Sequence, residues 1–386
     1  MDKTSSRSGP RYALAGCVMA AVLAAGLLSN GYGLLVEQLP LTRTAPDWSG
    51  FLDGRVTAEI ADTLAKTPLP SGSASLERGA SWLAVGDLGP RVRQGCPDWL
   101  FLADELEPHA GGDDALRARA REVADLRTRL AARGIELLVA TVPDKSRIAA
   151  AERCGVYRPA ALDERLRAWN GLLRASGVRT VDLESALRKL PVPGFLRTDT
   201  HWNEAGAEAA AGAIAAAARA LPSADQALKP HQAYAVTRGQ PRPLEGDLIR
   251  LAGIEWLPVS LLPALDLEPR TAFAPVADTA APASENDLFG DADLPRVALI
   301  GTSYSRNSNF VPFLEAAMQT RVVNFARDGG EFAGAAQAYF KSEEFRATPP
   351  RLIVWEIPER SLQRPLGGET TLWEASAATP PSRPRP

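Results

Sequence analysis

The chain reads as an α/β protein with a parallel sheet between two layers of helices. Three observations carry that reading. Residues 135–142, 297–300 and 351–357 are short, nearly continuous apolar runs, the pattern of strands covered on both faces. Each lies beyond a stretch of helical periodicity, as in 113–133, where Leu116, Val123, Leu126 and Leu130 fall on one face. Strands and helices alternate this way to residue 357, and alternation requires crossovers that return each strand parallel to the last.

The elements follow in order. Residues 99–102 are a short strand candidate. The helix over 113–133 takes Asp113 or Asp114 as its cap and stops at Gly134, before the strand 135–142. A helix over 162–176 stops at Gly177, a strand covers 178–183, and a short helix covers 184–190. Asn203 caps an alanine-rich helix running to about residue 220. The alternation resumes with a strand at 296–300, a helix at 310–319, a strand at 321–325, a helix at 331–340 and a strand at 351–357. Residues 222–294 interrupt it. Within 263–294 stand seven acids against one base, Arg270, so this excursion is expected to be partly disordered. The proline-rich tail 366–386 is expected to be disordered too.

The N-terminal end has its own pattern. Residues 12–36 carry no charged side chain, long enough for a membrane-spanning helix, and Lys3, Arg7 and Arg11 precede them. The basic flank places residues 1–11 in the cytoplasm and everything after Glu37 across the membrane. A cleaved signal peptide and a buried core helix are the alternatives. Residues 37–80, rich in Pro, Ser, Gly and Thr, read as a linker to a domain spanning 81–365.

With a net charge of −3 and no basic block interleaved with aromatics, the chain lacks the electrostatic footprint of a nucleic-acid binder. Of three cysteines, Cys17 falls in the apolar segment, leaving Cys96 and Cys154 as an even pair expected to form a disulfide in an oxidising compartment. Metal-binding Cys and His spacings are absent, and no metal or other cofactor is expected.

The chemistry gathers in two strings. Asp199-Thr200-His201-Trp202 puts a carboxylate two residues before one of only three histidines. In an extended loop residues i and i+2 point the same way, so Asp199 can accept from Nδ1 and leave Nε2 as a base. Ile300-Gly301-Thr302-Ser303-Tyr304-Ser305 puts a serine just beyond a buried strand, at a turn whose backbone N–H groups can stabilise an oxyanion. Ser303, His201 and Asp199 are thus the candidate nucleophile, base and orienting acid of a covalent acyl transfer. A helix cap is the plainer role for Ser303, and support of the turn before Asn203 the plainer role for Asp199.

These strings, with Asp98-Trp-Leu-Phe-Leu102, Val142-Pro-Asp-Lys145, Val181-Asp-Leu183, Gly246-Asp-Leu248 and Trp355-Glu-Ile-Pro-Glu-Arg360, resemble the alginate O-acetyltransferase AlgX/AlgJ family of SGNH-hydrolase-like proteins. The resemblance spans roughly residues 82–361. It implies a three-layer SGNH-hydrolase-like fold, a Ser303–His201–Asp199 triad in circularly permuted order, and transfer of acetyl from a membrane-bound O-acyltransferase partner to hydroxyls of an exported polysaccharide. It places the protein at the bacterial inner membrane with a periplasmic catalytic domain. Asn324 and Arg327 fall where relatives place site-lining groups, and the rings of Trp202 and Tyr304 are candidates to stack on sugar faces, with core packing the alternative. No carbohydrate-binding module is read after Arg360, and the long excursion leaves the acceptor open. An acetylesterase of the same fold and a non-catalytic polysaccharide-assembly protein are the alternative functions.

Overall fold

The computed structural model describes residues 10–276, 294–367 and 372. The chain divides into two compact units, Met1–Leu88 with Gly253–Leu257, and Gly89–Ala252 with Pro258–Pro386.

The first unit opens with α1 (Pro10–Leu35), whose residues Tyr12–Leu35 have a mean hydropathy of 2.0 and pack against nothing along most of their length. Residues 37–80, expected as an irregular linker, instead hold α2 (Trp48–Leu52), α3 (Arg55–Ala65) and most of α4 (Pro68–Val85). The correction has a local cause. The prolines at Pro68 and Pro70 sit in the first turn of α4, where a missing N–H costs nothing, so the composition that suggested a linker starts a helix.

The second unit begins with an antiparallel ribbon of β1 (Val92–Gln94) and β2 (Leu100–Leu102). Next come α5 (Gly112–Ala131), β3 (Glu136–Val142), α6 (Lys145–Ile148), α7 (Arg165–Ala175), β4 (Arg179–Val181), α8 (Leu183–Arg188), α9 (Glu204–Arg219) and α10 (Ala224–Ala227). The excursion supplies β5 (Tyr234–Thr237), β6 (Pro241–Leu244), α11 (Asp247–Ala252), β7 (Asp266–Pro269) and β8 (Ala272–Pro275). The chain closes with β9 (Val297–Ile300), α12 (Phe310–Met318), β10 (Val322–Asn324), α13 (Gly334–Lys341), α14 (Glu343–Ala347) and β11 (Leu352–Pro358).

Among the described residues, five strands form one parallel sheet in the order β10-β9-β11-β3-β4. Successive side chains leave a strand on opposite faces, and both faces are covered. Leu138, Ala140, Leu299 and Val354 pack under α9 and α12, while Leu137, Val139, Ile300 and Trp355 pack under α5, α7 and α13. Ala207, Ala210, Ala211 and Ala215 of α9 are fully buried, so the alanine-rich sequence serves close approach to the sheet and α12.

Local chemistry sets several boundaries. Asn203 caps α9 as expected, its Oδ1 accepting from Gly206 N at 2.8 Å. Asp182 caps α8 and cuts β4 to three residues. The cap of α5 is Gly111 at φ 70°, not an aspartate; Asp113 and Asp114 lie in the first turn, where their charge meets the helix dipole. The excursion is ordered wherever it is described: β5 pairs with β8, β6 pairs with β7, and Leu248, Ile249 and Ala252 of α11 are buried. Residues 277–293 of it, like most of the tail 366–386, lie outside the described residues. Cys96 and Cys154 are joined by a disulfide with Cα atoms 4.8 Å apart.

Candidate active site

Two loops meet above the sheet. The first, Gly301–Ser305, leaves the carboxyl end of β9 and turns at once into a single 3-10 turn starting at Ser303. Its geometry is set from below by Glu356, an acid inside the otherwise apolar β11. The Glu356 carboxylate accepts from Thr302 N at 2.6 Å, from Thr302 Oγ1 at 3.0 Å and from Ser305 Oγ at 3.0 Å. Burial pushes its pKa above the usual carboxylate range, the Thr302 and Ser305 bonds opposing. Gly301 makes the arrangement possible: a Cβ there would stand 2.5 Å from Glu356 Oε2.

The second loop carries Asp199 and His201. It runs from α8 to the N-terminus of α9, so no strand of the sheet feeds it directly. Side chains from elsewhere hold it. Lys145 Nζ, fully buried, donates to the carbonyls of Leu100, Arg197 and Asp199 at 2.6, 2.8 and 2.9 Å. Burial pulls the pKa of this amine down to about 8. Asp266 of the excursion accepts from Arg197 N, Thr198 N and Thr198 Oγ1 at 2.9, 2.9 and 2.8 Å. Two acids that suggested disorder are therefore acceptors: Glu268 likewise takes Glu204 N, at the head of α9, at 3.0 Å.

At the meeting point, His201 Nε2 lies 2.7 Å from Ser303 Oγ, and Nδ1 lies 2.6 Å from Asp199 Oδ1. Asp199 Oδ1 also accepts from His201 N at 2.9 Å, fixing the i, i+2 geometry, and Oδ2 accepts from Asp247 N at 2.8 Å. Burial works against the charge on Asp199, but the His201 and Asp247 bonds outweigh it and hold the pKa at about 2. Asp247 in turn accepts from Thr200 N at 2.7 Å and Thr200 Oγ1 at 2.5 Å. Burial, and then the neighbouring Asp199 charge, raise its own pKa. Gly246 lets α11 come this close, since a Cβ there would stand 2.0 Å from the Thr198 carbonyl oxygen.

Asp199, His201 and Asp247 offer three ligand atoms within 4.8 Å of one another. A metal there would have to displace the bonds just described, because both ring nitrogens and all four carboxylate oxygens already have partners. Beside His201 a cleft of about 560 Å³ opens, within the usual range of ligand sites, and Arg242, Arg250, Glu268, Arg270 and Asn309 are among its walls. Burial, then like charges around it, raise Glu268 to about 7.

Two expected sugar platforms turn out to be core. Tyr304 is 1% exposed; its hydroxyl donates to the Thr200 carbonyl at 2.8 Å and receives Arg360 Nη1 at 3.3 Å, and its ring lies edge-on to His201 at 5.0 Å. Trp202 is fully buried between Tyr304 and Phe310. Both rings turn to the sheet side of their loops and join the core with Leu299 and Val354. Asn324 and Arg327 are exposed and do not line the cleft; Asn324 Nδ2 donates to the Ser305 carbonyl at 3.1 Å and Arg327 N to that of Gly301 at 3.0 Å. They brace the serine turn from outside.

Asp247, Glu356 and Lys145 carry the site's support and had no assigned role from sequence. Each lies in one of the strings that carried the family resemblance. Glu356 alone had a physical signal, a carboxylate amid Leu352-Ile-Val-Trp and Ile357 on a strand buried throughout.

Residues 92–359 match the family model described as the SGNH hydrolase-like domain of acetyltransferase AlgX. The chain is 35% identical over 294 residues to the probable alginate O-acetylase AlgJ of Pseudomonas aeruginosa, covering 74% of this chain and 73% of that protein. The solved O-acetyltransferase domain of Pseudomonas putida AlgJ superposes with a TM-score of 0.60 at 32% identity, covering 73% of this chain and 95% of that one. AlgX of Pseudomonas aeruginosa superposes with a TM-score of 0.53 at 26% identity, over 69% of this chain and 62% of that one. With its parallel three-layer fold, the chain belongs to the SGNH hydrolase-like acetyltransferase family of AlgX and AlgJ.

Proposed function

We propose that this protein acetylates an exported polysaccharide through an acetyl-serine at Ser303. The observation that carries the reading is the continuous chain Ser303 Oγ–His201 Nε2 at 2.7 Å and His201 Nδ1–Asp199 at 2.6 Å beside an open cleft. Ser303 Oγ attacks the acetyl carbonyl of a donor ester while its proton passes to His201 Nε2. The tetrahedral oxyanion lies at the Ser303 N–H, which opens the 3-10 turn and, among the described residues, has no protein acceptor. The intermediate collapses, His201 returns the proton to the departing group, and acetyl-Ser303 remains. A sugar hydroxyl from the cleft then attacks, His201 takes its proton, and collapse frees the acetylated sugar as His201 returns that proton to Ser303 Oγ. Asp199, held ionised, fixes the ring with Nδ1–H toward itself and balances the imidazolium in both halves.

The resemblance of the sequence to this family suggests the setting. A membrane-bound O-acyltransferase would present the acetyl donor, and α1 would anchor the chain in the inner membrane with the catalytic unit in the periplasm. The disulfide supports an oxidising compartment. The test is acylation with a small activated acetyl ester, followed by mass analysis of the Ser303 peptide and then by addition of glycan acceptors. Acetyl on Ser303 that moves to a glycan faster than to water supports transfer. Acetyl lost only to water makes the protein an esterase, and absence of acylation makes it a binding protein.

A further inference from the structure

Helix α2 is built inside out for a helix facing water. Trp48, Phe51 and Leu52 are 73%, 54% and 70% exposed, with the two rings stacked at 5.8 Å into one apolar plate. Its inward residue is Gly50, pressed against polar groups: a Cβ there would meet the Arg55 guanidinium and the Asp47 carboxylate. Behind it stands a network of charges. Arg55 pairs with Asp47 and donates to Thr44 Oγ1 at 2.9 Å, Arg43 N donates to Glu59 at 3.0 Å, and the Arg43 side chain reaches Asp62 at 2.6 Å. A short helix that rests its glycine on charged neighbours and turns its rings outward is matched to an apolar surrounding.

The same unit holds a candidate for that surrounding. The 24 residues Tyr12–Leu35 make a helix about 36 Å long, some 6 Å more than the hydrocarbon of a bilayer. The start of α4 is bonded to the last two turns of that helix: Leu69 N donates to Ser29 Oγ at 2.8 Å and Thr67 Oγ1 to Asn30 Oδ1 at 2.9 Å. Gly33 allows this, since a Cβ there would stand 2.6 Å from Thr67 Cγ2. The chain turns back after α1, with Leu39 N on the Gly33 carbonyl and Thr63 Oγ1 on that of Pro40. The unit is thereby tied to the last two turns of α1, which in a spanning helix of this length fall near the edge of the hydrocarbon.

We propose that α2 is a second membrane contact: Trp48, Phe51 and Leu52 enter the headgroup–acyl boundary of the leaflet from which α1 emerges, while Arg43, Arg55, Glu59 and Asp62 stay on the watery side. Aromatic rings favour that boundary because their faces are apolar and the indole N–H keeps a polar partner. A helix lying in the interface fixes how the unit sits on the bilayer, which a single span leaves free to swivel. The proposal rests on the anchor reading of α1.

The test uses the full chain with Cys17→Ser and Leu52→Cys, labelled with a polarity-sensitive fluorophore and reconstituted into phosphatidylethanolamine–phosphatidylglycerol vesicles. Expected is a blue-shifted emission, quenched more by nitroxide lipids with the spin near the glycerol than at the chain end. Vesicle-bound protein should also resist trypsin at Arg43 and Arg55. Replacing Trp48, Phe51 and Leu52 by Ser should speed that cleavage about tenfold by freeing the segment. Emission matching a water-exposed label, with no quenching, while alkaline carbonate fails to extract the protein, overturns the α2 contact and leaves the anchor standing. Release by carbonate shows instead that α1 does not span, and the inference falls with it.

Discussion

The two loops of the site reach the same point by different means. The serine loop is positioned by the sheet: it leaves β9 directly, and the one carboxylate that pins it, Glu356, belongs to the neighbouring strand β11. The acid–base loop has no strand directly before it and is held by side chains far away in sequence, Lys145, Asp247 and Asp266. Position along a parallel sheet is inherited from the ladder. Position off the sheet has to be assembled from individual hydrogen bonds, each made to a buried group that would be costly to leave unsatisfied. The place of Ser303 should therefore survive most single substitutions, and that of His201 should not.

The largest expected effects come from the reacting groups themselves and sharpen what each loop contributes. Ser303→Ala should remove acyl-enzyme entirely with the fold intact, read by mass analysis of the acylated protein. Asp199→Asn should leave the chain folded but lower acylation by about 10⁴-fold, because the amide would hold the imidazole in the wrong tautomer. Near-wild-type acylation in either variant would refute the triad.

Next is the disulfide on the acid–base side, which closes a loop of 58 residues containing Lys145. Replacing both Cys96 and Cys154 by Ala should cost about 4 kcal/mol by the entropy of that loop, measured by urea unfolding. Acylation should fall in this variant, whereas a loss of stability with unchanged acylation per folded molecule would show that the loop does not depend on its covalent frame.

The direct contrast is between the two glycines of close approach. Gly246→Ala drives a Cβ into the Thr198 backbone, which cannot move without the acid–base loop; Gly301→Ala meets side-chain ends first, the Glu356 carboxylate and the Ser305 hydroxyl, at the expense of the bond between them. Gly246→Ala should cost roughly 3 kcal/mol and most of the activity, Gly301→Ala less on both counts. The reverse order would break the comparison.

The smallest effect is electrostatic. Asp199 has a folded pKa of about 2, below its ordinary 3.8, so its contribution to stability is complete above the unfolded value and vanishes as pH falls through the folded one. It amounts to about 2 kcal/mol. The stability gap between the wild type and Asp199→Asn should narrow by that amount between neutral pH and about pH 2. A constant gap would mean that Asp199 acts only by shape.

The sequence by itself determined the sheet and its layers, because apolar runs and helical stripes are local patterns, and it placed Ser303 because a serine after a buried strand is a local event. It also placed Asp199 beside His201, since two residues of extended chain fix their relation without help. The helical character of 48–85 was hidden behind a linker-like composition, and the order of 234–275 behind an acidic one. Composition counts charges; it does not say that Asp266 and Glu268 would find backbone donors. Only the tertiary structure decided that Asp247, Lys145 and Glu356 would converge on the two loops, and that Tyr304 and Trp202 would face inward. A hydrogen bond between residues 48 or 54 positions apart leaves no periodicity in the chain, and whether a ring faces water or core depends on which strands lie beneath it.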